Sequence, residues 1–102
     1  MRDLKESDIQ KQIIDYLEMT GNLVVKINNV GIMKPNGSFI PPRQRGVSDL
    51  LVCKRGGHFV AIEVKVPGNK PTLYQSNFIE DVKRRGGRGF VANSLNDVIN
   101  NF

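Results

Sequence analysis

One cysteine and one histidine are all that this 102-residue sequence offers of the two residue types, and that scarcity excludes several chemistries. The pair cannot assemble a usual zinc site, and histidine-based acid–base catalysis would lack a second member. A disulfide framework is excluded as well. The lone Cys53 lies in the apolar run Leu50-Leu51-Val52-Cys53 and reads as a small buried core side chain in a reduced compartment. No apolar run approaches the roughly 18 to 20 residues that span a membrane. The charged start MRDLKESD cannot supply the apolar middle of a secretory signal, so an intracellular, cytoplasmic, non-secreted protein is expected. The glycine pairs at 56–57 and 86–87 have neither the spacing nor the Lys-Ser/Thr ending of a phosphate-binding loop, and no nucleotide cofactor is expected. Repeats, linkers and low-complexity tracts are missing too.

What remains has the length of one domain, residues 1–102, with one core. Fifteen Lys and Arg against ten Asp and Glu give a net charge of +5, which favours a polyanionic partner. Ile9, Ile13, Ile14 and Leu17 recur at helical spacing, predicting a helix from about residue 4 to 20 that stops at Gly21. The β-rich NLVVKINN follows, then a turn-rich stretch from Gly31 to Gly46 that reads as a loop or irregular hairpin. SDLLVCK and GHFVAIEVKV around Arg55-Gly56-Gly57 have the composition of a β-hairpin. Thr72 to Arg85 is helical by periodicity, RGFVAN makes a short strand, and Ser94 with Asp97 caps a last helix. The order is helix, three strands, helix, strand, helix. An α/β domain follows, with a mixed sheet whose last strand returns through a crossover helix.

Polar residues interrupt this pattern at telling places. In HFVAIEVKV side chains alternate between faces, so His58, Val60, Ile62, Val64 and Val66 share one face and Glu63 and Lys65 the other. Asp49, at the start of the preceding strand, shares a face with Leu51 and Cys53. Strands roughly 4.8 Å apart let carboxylates from neighbours converge on one hard divalent cation, which takes oxygen ligands. The competing readings are a surface ion pair for Glu63 and Lys65, and a turn cap for Asp49. At about 100° per residue Glu6 falls near the middle of the first helix's apolar stripe, where an unpaired charge is costly. Gln75 falls likewise beside Phe78, Ile79 and Val82. Each also fits a capping box, Glu6 with Asp3 and Gln75 with Thr72. All these polar residues can face one side of one sheet. His58, on the opposite face beside a turn, is expected to be structural or exposed.

The ordered set of Glu6 on a helix, Gly46-Val47-Ser48-Asp49, Ile62-Glu63-Val64-Lys65 and Gln75 on a second helix resembles the PD-(D/E)XK (restriction-endonuclease-like) nuclease superfamily, and within it the VRR-NUC (virus-type replication-repair nuclease) family. The similarity runs from Glu6 to the strand at Phe90. Ser48 departs from it, standing where the family usually has proline. The resemblance implies a single-domain PD-(D/E)XK core and a DNA endonuclease of a bacterium or phage-infected cell. Asp49, Glu63 and the Val64 carbonyl would hold Mg2+ or Mn2+, with Glu6 completing the shell directly or through water. Lys65 would orient or help deprotonate the attacking water and stabilise charge, and Gln75 would support the site. Small members resemble homodimeric enzymes that cut branched DNA, including four-way (Holliday) junctions and flaps. Lys26, Lys34, Arg43, Arg45 and Lys70 would meet the DNA backbone, where charge matters and base identity does not. A non-catalytic nucleic-acid-binding module, or a subunit of a larger repair or restriction complex, is the alternative, followed by a toxin-like RNase.

Overall fold

In the computed structural model residues 4–28 and 31–102 are described. The elements in order are α1 (Glu6–Met19), β1 (Leu23–Lys26), β2 (Ile32–Met33), β3 (Phe39–Ile40), β4 (Leu50–Lys54), β5 (His58–Val64), α2 (Leu73–Arg84), β6 (Arg88–Ala92) and α3 (Leu95–Asn101). Among the described residues the main sheet has the order β1-β4-β5-β6, and β2 pairs with β3 in a separate hairpin. β4 runs antiparallel to β1 and β5, whereas β6 lies parallel to β5. The right sequence of elements was thus legible, with the 31–46 stretch resolving into the hairpin rather than a loop. The expected strand NLVVKINN is trimmed to β1, and Asn29 lies outside the described residues.

Register decides which residues share a face. Leu50 stands opposite Ile62 and Val52 opposite Val60; with Val64 they form one apolar surface, because directly opposed residues project to the same side. Ile9, Ile13 and Leu17 of α1, together with Val98 of α3, close over that surface as the core. Each buried aliphatic side chain of this kind stabilises the fold by about 1.5–3 kcal/mol before entropy is counted. Ser94 Oγ accepts from the Asp97 backbone N–H and starts α3, but the Asp97 carboxylate turns back to the Asn93 N–H, at 2.7 Å.

The other face is covered only in part. α2 packs across β6 and β5, where a Cβ at Gly89 would lie 3.1 Å from the Ile79 side chain. Towards β1 the face is open: Leu23, Val25 and Phe59 are exposed, and so is Cys53. The expectation of a buried Cys53 is therefore overturned. Its alternation places it opposite Leu23 and Phe59, on the half of the sheet that α2 does not reach. No helix among the described residues is long and apolar enough to cross a membrane.

Candidate active site

The two carboxylates singled out in the sequence meet at one end of the sheet. Counting back one position from the Leu50–Ile62 pair places Asp49 opposite Glu63. Asp49 does not cap a turn. Its Oδ2 accepts the Val64 N–H at 2.8 Å, and its own carbonyl accepts from the Ile27 N–H at 2.8 Å, so β1, β4 and β5 are all tied to this residue. An extended residue directs its N–H and C=O to the same strand edge, so the Val64 carbonyl also points toward Asp49.

Glu63 is only 1% exposed, which rules out the solvated surface ion pair. Neither carboxylate oxygen accepts a hydrogen bond from a donor group; the carboxyl lies within hydrogen-bonding reach of the Asp49 carboxylate, which it can meet only when protonated. Lys65 Nζ stands 3.6 Å from Oε2 with its side chain 15% exposed, an ion pair that leaves the acid incompletely compensated. Burial pushes the Glu63 carboxyl up to about 8, reinforced by the adjoining Asp49 carboxylate and at longer range by Glu6, against the pull of Lys65. A buried acid so weakly compensated beside a second carboxylate is a costly arrangement unless a further cation joins it. The donor set, two carboxylates and a backbone carbonyl, suits a hard divalent cation.

Glu6 does not complete a three-carboxylate cluster. Among the described residues, no three Asp, Glu, His or Cys side chains gather closely enough to hold an ion together. The reason lies in the layers: α1 packs on the Leu50–Ile62 face, whereas Glu63 projects from the opposite one. Glu6, at the start of that helix, is nevertheless near enough for its charge to act on Glu63. Nor is Glu6 the third residue of a capping box. The N-cap is Lys5, whose N–H donates to Asp8 Oδ2 at 3.0 Å, and Glu6 is the first helical residue; the expected partner Asp3 lies outside the described residues.

Gln75 is the helix cap weighed for it. Its Oε1 accepts the Thr72 N–H at 2.8 Å while Thr72 Oγ1 accepts the Gln75 N–H at 3.2 Å, a complete capping box. It also lines, with Asp49, Phe39, Arg45 and Tyr74, a cavity of about 480 Å³. The start of α2 is fixed against the Gly46 turn. Gly46 has φ +74°, and a Cβ there would lie 2.2 Å from the Tyr74 carbonyl, so only glycine lets the Gly-x-x-Asp segment approach the helix this closely. Of the expected phosphate partners, Lys34, Arg43, Arg45 and Lys70 are exposed. Lys26 is exposed as well, but it opposes Leu50 and so projects from the α1 face. His58 is exposed at the far end of β5. There a second cavity, of about 520 Å³, holds cations but no acid; Lys54 and Arg88 are spent on the carbonyls of Phe102 and Asn101.

Two contributors were not read from the sequence. Asn93 Nδ2 donates to the Lys65 carbonyl at 3.0 Å, and the Lys65 N–H donates to the Ala92 carbonyl at 3.0 Å, so β6 pins the backbone that carries Lys65. Ser48 is fully buried with an unpartnered hydroxyl. An asparagine after a strand signals only a turn, and a serine before Asp49 gives no sign of its burial.

No family model matches the chain. It is similar to "Putative nuclease p44" of Acyrthosiphon pisum secondary endosymbiont phage 1, 33% identical over 75 residues, which cover 74% of this chain and 68% of that protein. A solved structure described as a VRR_NUC domain superposes with a TM-score of 0.70 at 29% identity, over 96% of this chain and 94% of its own. A second, a VRR_NUC domain protein, shares the fold at a TM-score of 0.61 and 19% identity, over 98% of this chain and 86% of its own. With the mixed sheet, the helices on both faces and the Asp49–Glu63–Lys65 end of that sheet, these likenesses make the chain a member of the VRR-NUC nuclease family of the PD-(D/E)XK superfamily.

Proposed function

We propose that residues 1–102 form one VRR-NUC domain that acts as a metal-dependent DNA endonuclease on branched or otherwise structured DNA, as a homodimer. The observation that carries this reading is the buried, incompletely compensated Glu63 carboxylate opposite Asp49 and beside Lys65. Asp49, Glu63 and the Val64 carbonyl are the groups that would hold Mg2+ or Mn2+. When bound, such an ion polarises the phosphate and lowers the pKa of its water.

The chain's own residues supply the rest. Asp49, held by the Val64 N–H, keeps one carboxylate oxygen fixed and leaves the other free to ligate. Lys65 presents its ammonium beside the carboxylate pair, where it opposes the negative charge that builds on the phosphate during attack. Glu6 acts from a distance or through water, and Gln75 holds the helix start that walls the cleft. The exposed Lys34, Arg43, Arg45 and Lys70, with Lys26 from the other face, are proposed to meet DNA phosphates. The open apolar half of the sheet, with Leu23, Val25 and Phe59 exposed, supports a second copy as the partner that covers it. Sedimentation of a Val25→Asp variant tests that surface and is expected to give the monomer mass.

The activity is tested with labelled four-way junction, flap, plain duplex and matching RNA, each in magnesium, manganese or chelator. Cleavage of structured DNA that requires the metal is expected; binding without cleavage under every condition would sink the proposal. Glu63→Ala should lower cleavage by about 10³-fold or more, the scale of several kcal/mol of transition-state charge stabilisation. Its DNA affinity in chelator should stay within a few fold of the unsubstituted protein, and cutting retained by the variant would place the centre elsewhere.

A further inference from the structure

The cleft beside Asp49 is walled by aromatic rings as well as by charge. Phe39, from the β2–β3 hairpin, lies across Gly31, where an added Cβ would fall 2.1 Å from its ring, yet the side chain remains 57% exposed. Tyr74, on the first turn of α2, is 54% exposed, and the Arg45 guanidinium stands over its ring, 5.3 Å from the centroid. All three line the same cavity of about 480 Å³ as Asp49 and Gln75. Backbone contact, which the exposed Lys and Arg residues already provide for, needs no aromatic surface. A flat ring that is supported on one side and open on the other, with a guanidinium close by, is the equipment that grips a nucleobase.

We infer that Phe39 and Tyr74, with Arg45, form a stacking subsite for one unpaired nucleobase next to the scissile phosphate. The cavity lies in the range of about 300–1,000 Å³ that takes a small-molecule-sized group, enough for a single extruded nucleotide. Gly31 and Gly46 set the two walls: the first leaves room for the Phe39 ring, and the second lets the loop carrying Arg45 close on Tyr74. The subsite rests on the reading of this chain as a DNA endonuclease, and it adds to that reading the part of the substrate that the cleft holds.

Fluorescent DNA with 2-aminopurine at an unpaired position, titrated with the protein in chelator, tests the inference. Binding should quench the base, and Phe39→Leu or Tyr74→Leu should abolish the quenching. The same variants should weaken affinity for unpaired DNA by about 5- to 100-fold, the loss typical of one stacked base. Gly31→Ala, which displaces the ring without altering it, should act like Phe39→Leu, while Tyr74→Phe should keep the unsubstituted behaviour. An abasic nucleotide at that position should bring the unsubstituted protein down to the level of the variants. Equal losses on abasic and intact DNA, or no quenching, would overturn the subsite. So would a change of oligomeric mass in Phe39→Leu without base-dependent loss, since the hairpin would then hold a second copy. Cleavage followed in parallel separates the two readings. Base-dependent binding without metal-dependent cutting retains the subsite and removes the nuclease proposal, and cutting without base-dependent binding does the reverse.

Discussion

The two faces of one sheet share strands and differ in nearly everything else. On the α1 and α3 side, Leu50, Val52, Val60, Ile62 and Val64 are fully buried aliphatics under two helices. On the α2 side the alternating positions are Asp49, Leu51, Cys53, Phe59, Ala61 and Glu63, and they range from fully buried to exposed. The first face concentrates the burial that offsets chain entropy. That leaves the second free to carry an incompletely compensated acid, a cavity and an uncovered apolar edge, features that would be destabilising if the fold depended on them. Stability and chemistry are divided by a period of two along the same strands.

Substitutions at adjacent residues of β5 should break this division in opposite directions. Ile62→Ala removes a fully buried side chain from the core face and should cost about 2–5 kcal/mol in urea unfolding. Its neighbour Glu63→Gln should do the reverse in chelator at pH 8. The sign follows from linkage. With Glu63 raised from its ordinary 4.5 to about 8 in the folded chain, the folded state binds more protons than the unfolded one between those values. Metal-free stability from this group is therefore fully present below about pH 4.5, declines as pH rises toward 8, and levels off above that. Glu63→Gln should remove that decline and unfold later than the unsubstituted chain at pH 8, on the order of a few kcal/mol. Magnesium should stabilise the unsubstituted chain at pH 8 and leave the variant unchanged. A pH-independent difference between the two chains would contradict the burial argument. The smallest effect is expected at Ser48, whose hydroxyl is buried without a partner. Ser48→Ala should raise stability by about 1 kcal/mol in the same assay, and a loss would show that the hydroxyl has a partner in solution.

Much of this architecture was legible because it depends on short-range periodicity. The helical spacing of Ile9, Ile13 and Leu17, the alternation through β5, and the Thr72–Gln75 and Ser94–Asp97 caps each involve residues within a turn or a strand of one another, and each appears where expected. Less legible was whatever depended on which layer covers which. Cys53 sits in an apolar run, yet α2 stops short of it. Glu6 lies on the apolar stripe of its helix, yet that helix covers the face opposite Glu63. The 31–46 stretch had turn composition, and only cross-strand pairing of Ile32 with Ile40 and Met33 with Phe39 makes it a hairpin.

By itself the sequence determined the alternation that sets Glu63 apart from Ile62 and Val64, the spacing that brings Asp49 to the neighbouring strand, and the basic excess around them. These are consequences of local geometry. Only the tertiary structure decided that the Glu63 carboxylate is sealed from water with Lys65 as its one ion-pair partner among the described residues, that Asp49 is tied to the Val64 N–H, and that Phe39 and Tyr74 face one cavity. Burial and partnership belong to layers that approach from distant parts of the chain, and a period of two cannot say what will cover each face.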